Sequence, residues 1–480
     1  MTPVEEPGNG EPLRLILHDT FTRSLRPLVP SDGGALRFYC CGPTVYGPAH
    51  IGNFRSFVLQ DVFRRVVEST GLATRHVRNI TDVDDKTIRQ SQEAGESLAD
   101  FTDKWAAAFR EDCGKLGILP PHVEPSAVEN IPEQIALIEK LVRGGFAYQS
   151  GDGSVYFRVQ SFPAYGMLSR LQERTITTGT DSDGAHLEDE YERDSAADFA
   201  LWKARRPGDG PNFWDSPWGE GRPGWHIECS AMSMKHLGPT FDLHGGGVDL
   251  IFPHHENEIA QSEAATGQKF VHHWFHVAHL LVDGTKMSKS LGNLFTLEDI
   301  EARGFSPEDL RYLLLSGSYR QPLNFTWESL QAAQKALARL REFRRRLGEG
   351  QGEPAVGFGV FQPVQDALLD DLNTPEALGR LFGIIRKLTP DLESGSIEEK
   401  DRLQWLGSFL LVLQAFGFQL TEKQSAEAPP EIQALAARRW EAKQTRDWAA
   451  ADALRAELTE VGWEVRDGPQ GYELAPLSPS

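Results

Sequence analysis

The fold class predicted for this chain is α/β: a parallel-sheet domain interrupted by an insertion, followed by an α-helical bundle and a small C-terminal α+β unit. Three observations predict it. Strand-then-helix alternation recurs from Ala35 to Gly71, from Thr74 to Ile80 and from Thr240 to Ala265. After Gly317 the apolar residues fall at helical spacing, and a soft stretch from Thr421 to Pro430 isolates a last segment.

The first unit opens with LRFYCC, an apolar strand that runs into a Gly/Pro turn. A helix follows whose inner face carries Phe54, Val58, Leu59, Val62, Phe63 and Val66. Parallel sheets built this way bind ligands at the carboxyl ends of their strands, which makes residues 13–108 and 204–316 a Rossmann-like nucleotide-binding domain. Residues 109–203 form the insertion, within which Gln172 to Asp198 is acidic, rich in Thr, Asp and Gly, and reads as a mobile loop. Residues 317–420 predict a bundle through Leu330, Ala333, Leu337, Leu340, Ala367, Leu368, Leu372, Ala377, Leu378 and Leu381. Residues 421–430 are a linker, and 431–480 predict a helix near Ala450 to Glu460 and a hairpin around Asp467-Gly468.

Composition narrows the class of function. At 480 residues the chain exceeds one ordinary core. It has no apolar run of the roughly eighteen residues that would span a bilayer, so no membrane association is expected. Residues 1–12 are acidic and rich in Pro and Gly, lack the features of a secretory signal, and predict a disordered tail on a cytoplasmic protein. Cys40, Cys41, Cys113 and Cys229 are too scattered for a disulfide framework. The net charge, 49 minus 69 or −20, argues against generic binding to a polyanion, so any RNA contact is local. The basic stretch Lys335 to Arg346 is one such place, and equally a solvated helix face.

His50 and Asn53 of PAHIGN stand where a turn becomes a helix, so imidazole, amide and free backbone N–H groups there suit a phosphate. Alone the motif is equally a helix start with a chance histidine. K-M-S-K-S at Lys286, Met287, Ser288, Lys289 and Ser290 puts two ammonium groups and hydroxyls on a turn. The two motifs, in this order and over two hundred residues apart, resemble the class I aminoacyl-tRNA synthetases. That resemblance implies ATP, with Mg²⁺ on its phosphates, and attack by an amino-acid carboxylate on the α-phosphate. Negative charge builds on phosphoryl oxygens in such a reaction, so positioning and neutralisation do most of the work. His50 and Asn53 are then expected to hold the reacting phosphate, and Lys286 and Lys289 to stabilise the transition state. Gly52, Gly245, Gly246 and Gly247 would let backbone approach ATP, with Asp249 on the ribose hydroxyls.

His254 and Glu258, four apart on one helix face, and the thiols of Cys41 and Cys229 make a four-ligand set that zinc accepts. Two core thiols beside a solvated His/Glu pair would give the same sequence. With CGPTVY, HIGN, NITDVDDK, GWHIECSAM, HGGGVDLIFPHHENEIAQSEA and KMSKSLGN together, the chain resembles the cysteinyl-tRNA synthetases from about Leu13 onward. That resemblance implies a zinc ion on Cys41, Cys229, His254 and Glu258 that takes the thiolate of L-cysteine. It implies an amino-acid pocket of Gly42, Thr44, Thr81 and Trp225, transfer to the 3′-terminal adenosine of tRNA(Cys), and a monomer. Zinc deprotonates a thiol but not an alkyl hydroxyl, which separates cysteine from serine and leaves little need for editing. Cys40, Cys113, His255, His272, His273 and His279 are expected to be structural or solvated. Gly47, Phe275, Ala278 and Gly471-Tyr-Glu depart from the family pattern without removing an expected ligand.

A rival is a cysteine ligase of thiol-cofactor (mycothiol-type) biosynthesis, which shares the catalytic domain and joins cysteine to an amino sugar. It lacks a full tRNA-binding tail, whereas the last fifty residues here resemble the anticodon-side unit of the synthetase. A non-catalytic RNA-binding relative would be expected to have a damaged HIGN or KMSKS, and both are intact.

Overall fold

The computed structural model describes residues 15–171, 198–288, 291–348, 357–420, 428–468 and 471–476. The predicted tail (1–12), most of the acidic stretch (172–197), most of the linker (421–427), and Lys289 and Ser290 lie outside them.

At the centre is a four-stranded sheet in the order Val271–Val277, Phe241–Gly247, Leu36–Cys40, Thr74–Arg78. Every pairing in it is parallel. From Leu36–Cys40 the chain crosses through the helix Ile51–Glu68 to Thr74–Arg78 on one side. From Phe241–Gly247 it crosses through Glu256–Thr266 to Val271–Val277 on the other. The strand order therefore reverses between Leu36–Cys40 and Phe241–Gly247, and a crevice opens outside their carboxyl ends. Cys41 and the Gly245–Gly247 run sit at that crevice, joined by a hydrogen bond from Cys41 N to Gly245 O at 3.2 Å. The predicted inner face of Ile51–Glu68 is buried throughout, as burial of six large apolar side chains at helical spacing requires.

The insertion contains an antiparallel sheet of Ala147–Gln149, Val155–Phe157, Phe199–Ala204 and Gly221–Pro223, backed by the helix Ile131–Arg143. The expected boundaries fall inside elements: 108/109 lies within the helix Leu98–Lys115 and 203/204 within the strand Phe199–Ala204. The sheet continues to Pro223 because Trp202 and Lys203 pair with Pro223 and Arg222, a partnership that the local sequence does not announce. Asp198, at the end of the acidic stretch, accepts hydrogen bonds from Tyr148 Oη (2.9 Å) and Val159 N (2.9 Å).

Helices Trp327–Leu347, Gln362–Leu369, Thr374–Ser394 and Glu399–Phe416 make the bundle, with the predicted residues Leu330 to Leu381 in its core. The basic stretch Lys335 to Arg346 is largely engaged within the protein. Arg341 pairs with Glu308 at 2.7 Å, Arg345 and Arg346 with Glu342, and Arg339 lies over the Phe382 ring. The C-terminal unit has helices Pro430–Gln444 and Trp448–Glu460 and a hairpin of Trp463–Gly468 and Gly471–Pro476. Asp467 and Gly468 belong to its first strand rather than to its turn, since Gly468 pairs with Gly471. Among the described residues no helix is long and apolar enough to cross a membrane.

A buried ion pair braces the helix Ile51–Glu68 against the helix Pro307–Leu315, whose Arg311 also reaches the end of the bundle helix Glu399–Phe416. Asp61, on the helix that begins at Ile51, faces Arg311 (Nη2–Oδ2 2.5 Å) and Arg65 (2.8 Å) and accepts from Leu119 N. Arg311 also donates to Phe416 O and Leu116 O. Burial resists ionisation of Asp61, but the two guanidiniums overcome it and hold the carboxyl below its usual range. Because the folded value is depressed, the stabilisation is present above the unfolded carboxylate value of about 3.9 and is lost as pH falls below it. Asp61→Asn leaves the buried Arg311 charge uncompensated, and urea unfolding should show a loss of about 3–5 kcal/mol at neutral pH.

Candidate active site and metal cluster

His50 is the N-cap of the helix Ile51–Glu68: its Nδ1 accepts from Asn53 N (3.3 Å), and Asn53 Oδ1 accepts from His50 N (3.1 Å). Asn53 thus closes a capping box, a role the sequence reading did not give it. Since Nδ1 is an acceptor, the proton of the neutral ring resides on Nε2 and is available to a ligand. Burial lowers the affinity of His50 for a second proton, while Asp249 acts in the opposite direction.

Met287 of the second motif reaches the first. A methyl group placed on Gly52 would stand 3.0 Å from Met287 Sδ and 3.0 Å from His50 Nδ1, so a larger residue would have to push one of these side chains aside by a few tenths of an ångström. The turn before it uses Asp283 (φ 49°) and Gly284 (φ 77°), and Asn293 holds it by accepting from Ser288 N at 2.8 Å. Lys286 is exposed beside it. Gly245 and Gly246 admit Phe275, Cys40 and His255 at distances a side chain would close, and Gly247 does the same for Asp249.

Deeper in the crevice, one donor atom from each of Cys41, Cys229, His254 and Glu258 lies within 4.8 Å of the others, all four buried. Their elements are unrelated in sequence: a strand end, the helix Trp225–Leu237 and the start of Glu256–Thr266. His254 Nε2 meets Glu258 Oε1 at 3.1 Å, the four-residue spacing acting as expected. Burial opposes ionisation of Glu258, yet His244 and His254 bring it down to about 2. Burial also opposes protonation of His254, and Glu258 reverses this, raising it to about 10. Both thiols are resisted by burial. Hydrogen bonding from Cys41, and the charge of His254, leave Cys229 the more acidic at about 6, while Cys41 is pushed up. Two thiols and a carboxylate gathered without water form a set whose anionic state needs a cation.

A second set shares two of these residues: Cys41, His244, His255 and Glu258. His255 Nε2 lies 3.3 Å from Cys41 Sγ, and its Nδ1 lies 2.7 Å from His276 Nε2, which in turn reaches Thr20 through Nδ1 at 2.8 Å. His244 Nε2 bonds Glu258 Oε2 at 2.9 Å. His255 was expected to be merely structural or solvated, and His244 was not considered. The three-residue offset of His255 from Glu258 was the available signal; the placement of His244 under that helix was not readable locally. Cys40 and Cys113 are buried core thiols, as expected.

Beside the cluster, Trp225 stacks near His254 with ring centroids 4.2 Å apart. Thr44 and Thr81 form a parallel bridge, with Val45 N donating to Thr81 O at 3.1 Å. Gly42 donates to Asn79 Oδ1 at 2.8 Å, and a methyl group there would overlap Asn79 O. Gly42 thus adjoins the cluster residue Cys41 in the chain, Trp225 lies against its residue His254, and Thr44 is tied to Thr81.

Comparison with known proteins follows this geometry. A family model described as the tRNA synthetases class I (C) catalytic domain matches residues 27–335. A DALR domain matches 363–416, and a cysteinyl-tRNA ligase anticodon binding domain matches 425–473. The cysteine–tRNA ligase of Opitutus terrae is 53% identical over 470 residues, covering 97% of this chain and 99% of that one. The chain belongs to the cysteine–tRNA ligase family. That of Brachyspira hyodysenteriae is 42% identical over 470 residues, covering 96% and 98%. Methionyl-tRNA synthetase from Mycobacterium tuberculosis, solved with methionyl-adenylate, shares the fold at a TM-score of 0.56 and 13% identity, over 80% of this chain and 89% of that one. As a cysteine–tRNA ligase, a class I aminoacyl-tRNA synthetase, the protein has cysteine, ATP and tRNA as substrates. The rival thiol-cofactor ligase finds no support, since the likeness to cysteine–tRNA ligases runs through an anticodon-binding domain to the end of the chain.

Proposed function

We propose that the crevice performs both steps of cysteinyl transfer, forming cysteinyl adenylate and passing the cysteinyl group to the 3′-terminal adenosine of tRNA(Cys). The observation that carries this is the convergence of Cys41, Cys229, His254 and Glu258 on one buried point at the switch of strand order. Donor atoms around a tetrahedral zinc stand about 3.3–3.8 Å apart, which a set already within 4.8 Å reaches by small side-chain rotations. Zinc bound there would supply a Lewis acid that stabilises a substrate thiolate and disfavours serine. His244 and His255 would orient Glu258 and Cys41 from behind.

His50 Nε2–H and the N–H of Gly52 bind the reacting phosphate, because Ile51 N is committed to Phe295 O (2.8 Å) and Asn53 N to His50 Nδ1 (3.3 Å). Asn53 holds His50 in the donor tautomer, and Asp249 accepts from the ribose. Lys286 and Lys289 neutralise the departing pyrophosphate, Met287 lies against Gly52, and Ser288 and Ser290 offer hydroxyls to ATP; Mg²⁺ arrives with ATP. Gly42, Thr44, Thr81 and Trp225 enclose the amino acid. The insertion serves the acceptor end, the bundle and 431–480 the anticodon side, in a monomeric cytoplasmic enzyme. Aminoacylation of total tRNA, run beside metal analysis, tests this. One zinc per chain is expected, with cysteine charging abolished by a chelator and restored by zinc. Charging unaffected by complete removal of the metal would overturn the zinc role.

A further inference from the structure

We infer that Arg55 is a positioning residue for the adenylation step, setting the place of Lys286 relative to the helix that begins at Ile51. Arg55 stands two residues after the HIGN motif, in the first turns of that helix, and is fully buried. Its guanidinium meets three backbone carbonyls and, among the described residues, pairs with no carboxylate. Nη1 donates to His279 O (2.9 Å), and Nη2 to Ser318 O (3.0 Å) and Gln321 O (2.6 Å). Burial lowers its hold on the proton to about 10, which still leaves it charged at neutral pH. A buried cation without an anion is a costly way to fill space, since an apolar side chain of similar length packs without desolvating a charge. The identity of the three carbonyls explains what the charge does.

All three lie where a strand starts. His279 precedes Leu280–Val282, and the turn Ser318–Gln321 precedes Leu323–Phe325. These two strands run parallel, and Leu323 N donates to His279 O at 3.1 Å. Leu280–Val282 also pairs antiparallel with Thr285–Lys286, which sets Lys286 opposite Leu281. Asn324 secures the intervening turn by accepting from Gly284 N at 2.7 Å, and Asp283 N donates to Phe325 O at 3.1 Å. The path from Arg55 to Lys286 is therefore short and hydrogen-bonded at each step. Beyond Lys286 the chain returns to the same helix, where Ile51 N donates to Phe295 O at 2.8 Å and His50 bridges Thr296. Lys286 thus belongs to a segment fixed to the HIGN helix by Arg55 at its entry and by Ile51 at its exit. Its own side chain is exposed, so the backbone frame is what places it. Displacing a reacting or charge-stabilising group by about 1 Å is enough to cost ~10²-fold in rate. A planar guanidinium fork reaches carbonyls of both strand starts at once, which an ammonium on a flexible stem does not.

The inference rests on the proposed role of Lys286 in neutralising pyrophosphate, and the test separates the two. On the full-length enzyme, kcat and KM for cysteine-dependent ATP–pyrophosphate exchange are measured for Arg55→Lys, for Lys286→Ala and for the double variant. Arg55→Lys should lower kcat by about 10–100-fold and leave KM for cysteine within about twofold of the parent. In the Lys286→Ala background the same change should cost less than about threefold, because the group it positions is already gone. Losses that multiply in the double variant would show that Arg55 does not act through Lys286 and overturn the inference alone. An unchanged kcat in Arg55→Lys, or a KM for cysteine that rises as far as kcat falls, would overturn it too. If Lys286→Ala by itself leaves kcat unchanged, the reading of that turn falls and the inference falls with it. Arg55→Gln, which gives up the charge and keeps one amide donor group, is held to the same criteria should Arg55→Lys not be recovered folded. If neither variant folds, Arg55 serves the fold alone and the inference is overturned.

Discussion

Cys229→Ser is expected to abolish the zinc binding proposed for the cluster and to lower kcat/KM for cysteine-dependent ATP–pyrophosphate exchange by about 10³-fold, or ~4 kcal/mol. A serine hydroxyl stays protonated where a thiol ionises, and Cys229 is one of the two thiols of the buried donor set. The other donors are buried, so removing one leaves a weaker cage without making the site easier to hydrate. Metal analysis on the purified variant, with exchange assayed over a range of cysteine concentrations, provides the measurement. Zinc retained at one per chain with activity lost would place the ion in the overlapping set of Cys41, His244, His255 and Glu258. Unchanged zinc and unchanged activity would make Cys229 an ordinary core thiol.

The second large effect is expected at His50, where one ring performs two separable tasks. Nδ1 caps the helix, and Nε2–H is the donor offered to the phosphate. His50→Ala removes both, lowering kcat for exchange by about 10²–10³-fold and stability by about 1 kcal/mol. His50→Asn restores a cap acceptor but not the Nε2 donor. It should melt near the parent and remain as slow as the alanine variant. If His50→Asn regained full rate, the histidine would be a cap and nothing more.

Chelation and Asp61→Asn probe different levels of the same molecule. The first reaches the cluster alone, and the second the joint between the HIGN helix and the bundle, so an effect of Asp61→Asn on stability without loss of zinc would confirm that the two are independent.

How much was legible in the sequence differs from residue to residue. The burial of Phe54, Val58, Leu59, Val62, Phe63 and Val66 could be read directly, because helical spacing is a local property. The pairing of His254 with Glu258 could be read for the same reason. Cys41 and Cys229 lie 188 positions apart, and nothing in their spacing brings them together; family resemblance named them, and the crossover of strands explains their meeting. His244 was missed because it belongs to the Gly-rich strand, where only the packing of the helix Glu256–Thr266 over that strand brings it to Glu258. The buried hydrogen bond between Glu228 and Thr81 could not be read either, because 147 residues separate the two.

By itself, then, the sequence determined the local periodicities, the two phosphate motifs and their order, the candidate donor types and the family. Only tertiary structure decided which distant groups meet: Met287 against Gly52, His244 with Glu258, Thr81 with Glu228. The physical reason is that periodicity is fixed by the backbone over a few residues. The direction of a buried hydrogen bond is fixed by whichever donor or acceptor the fold brings opposite once water has been excluded.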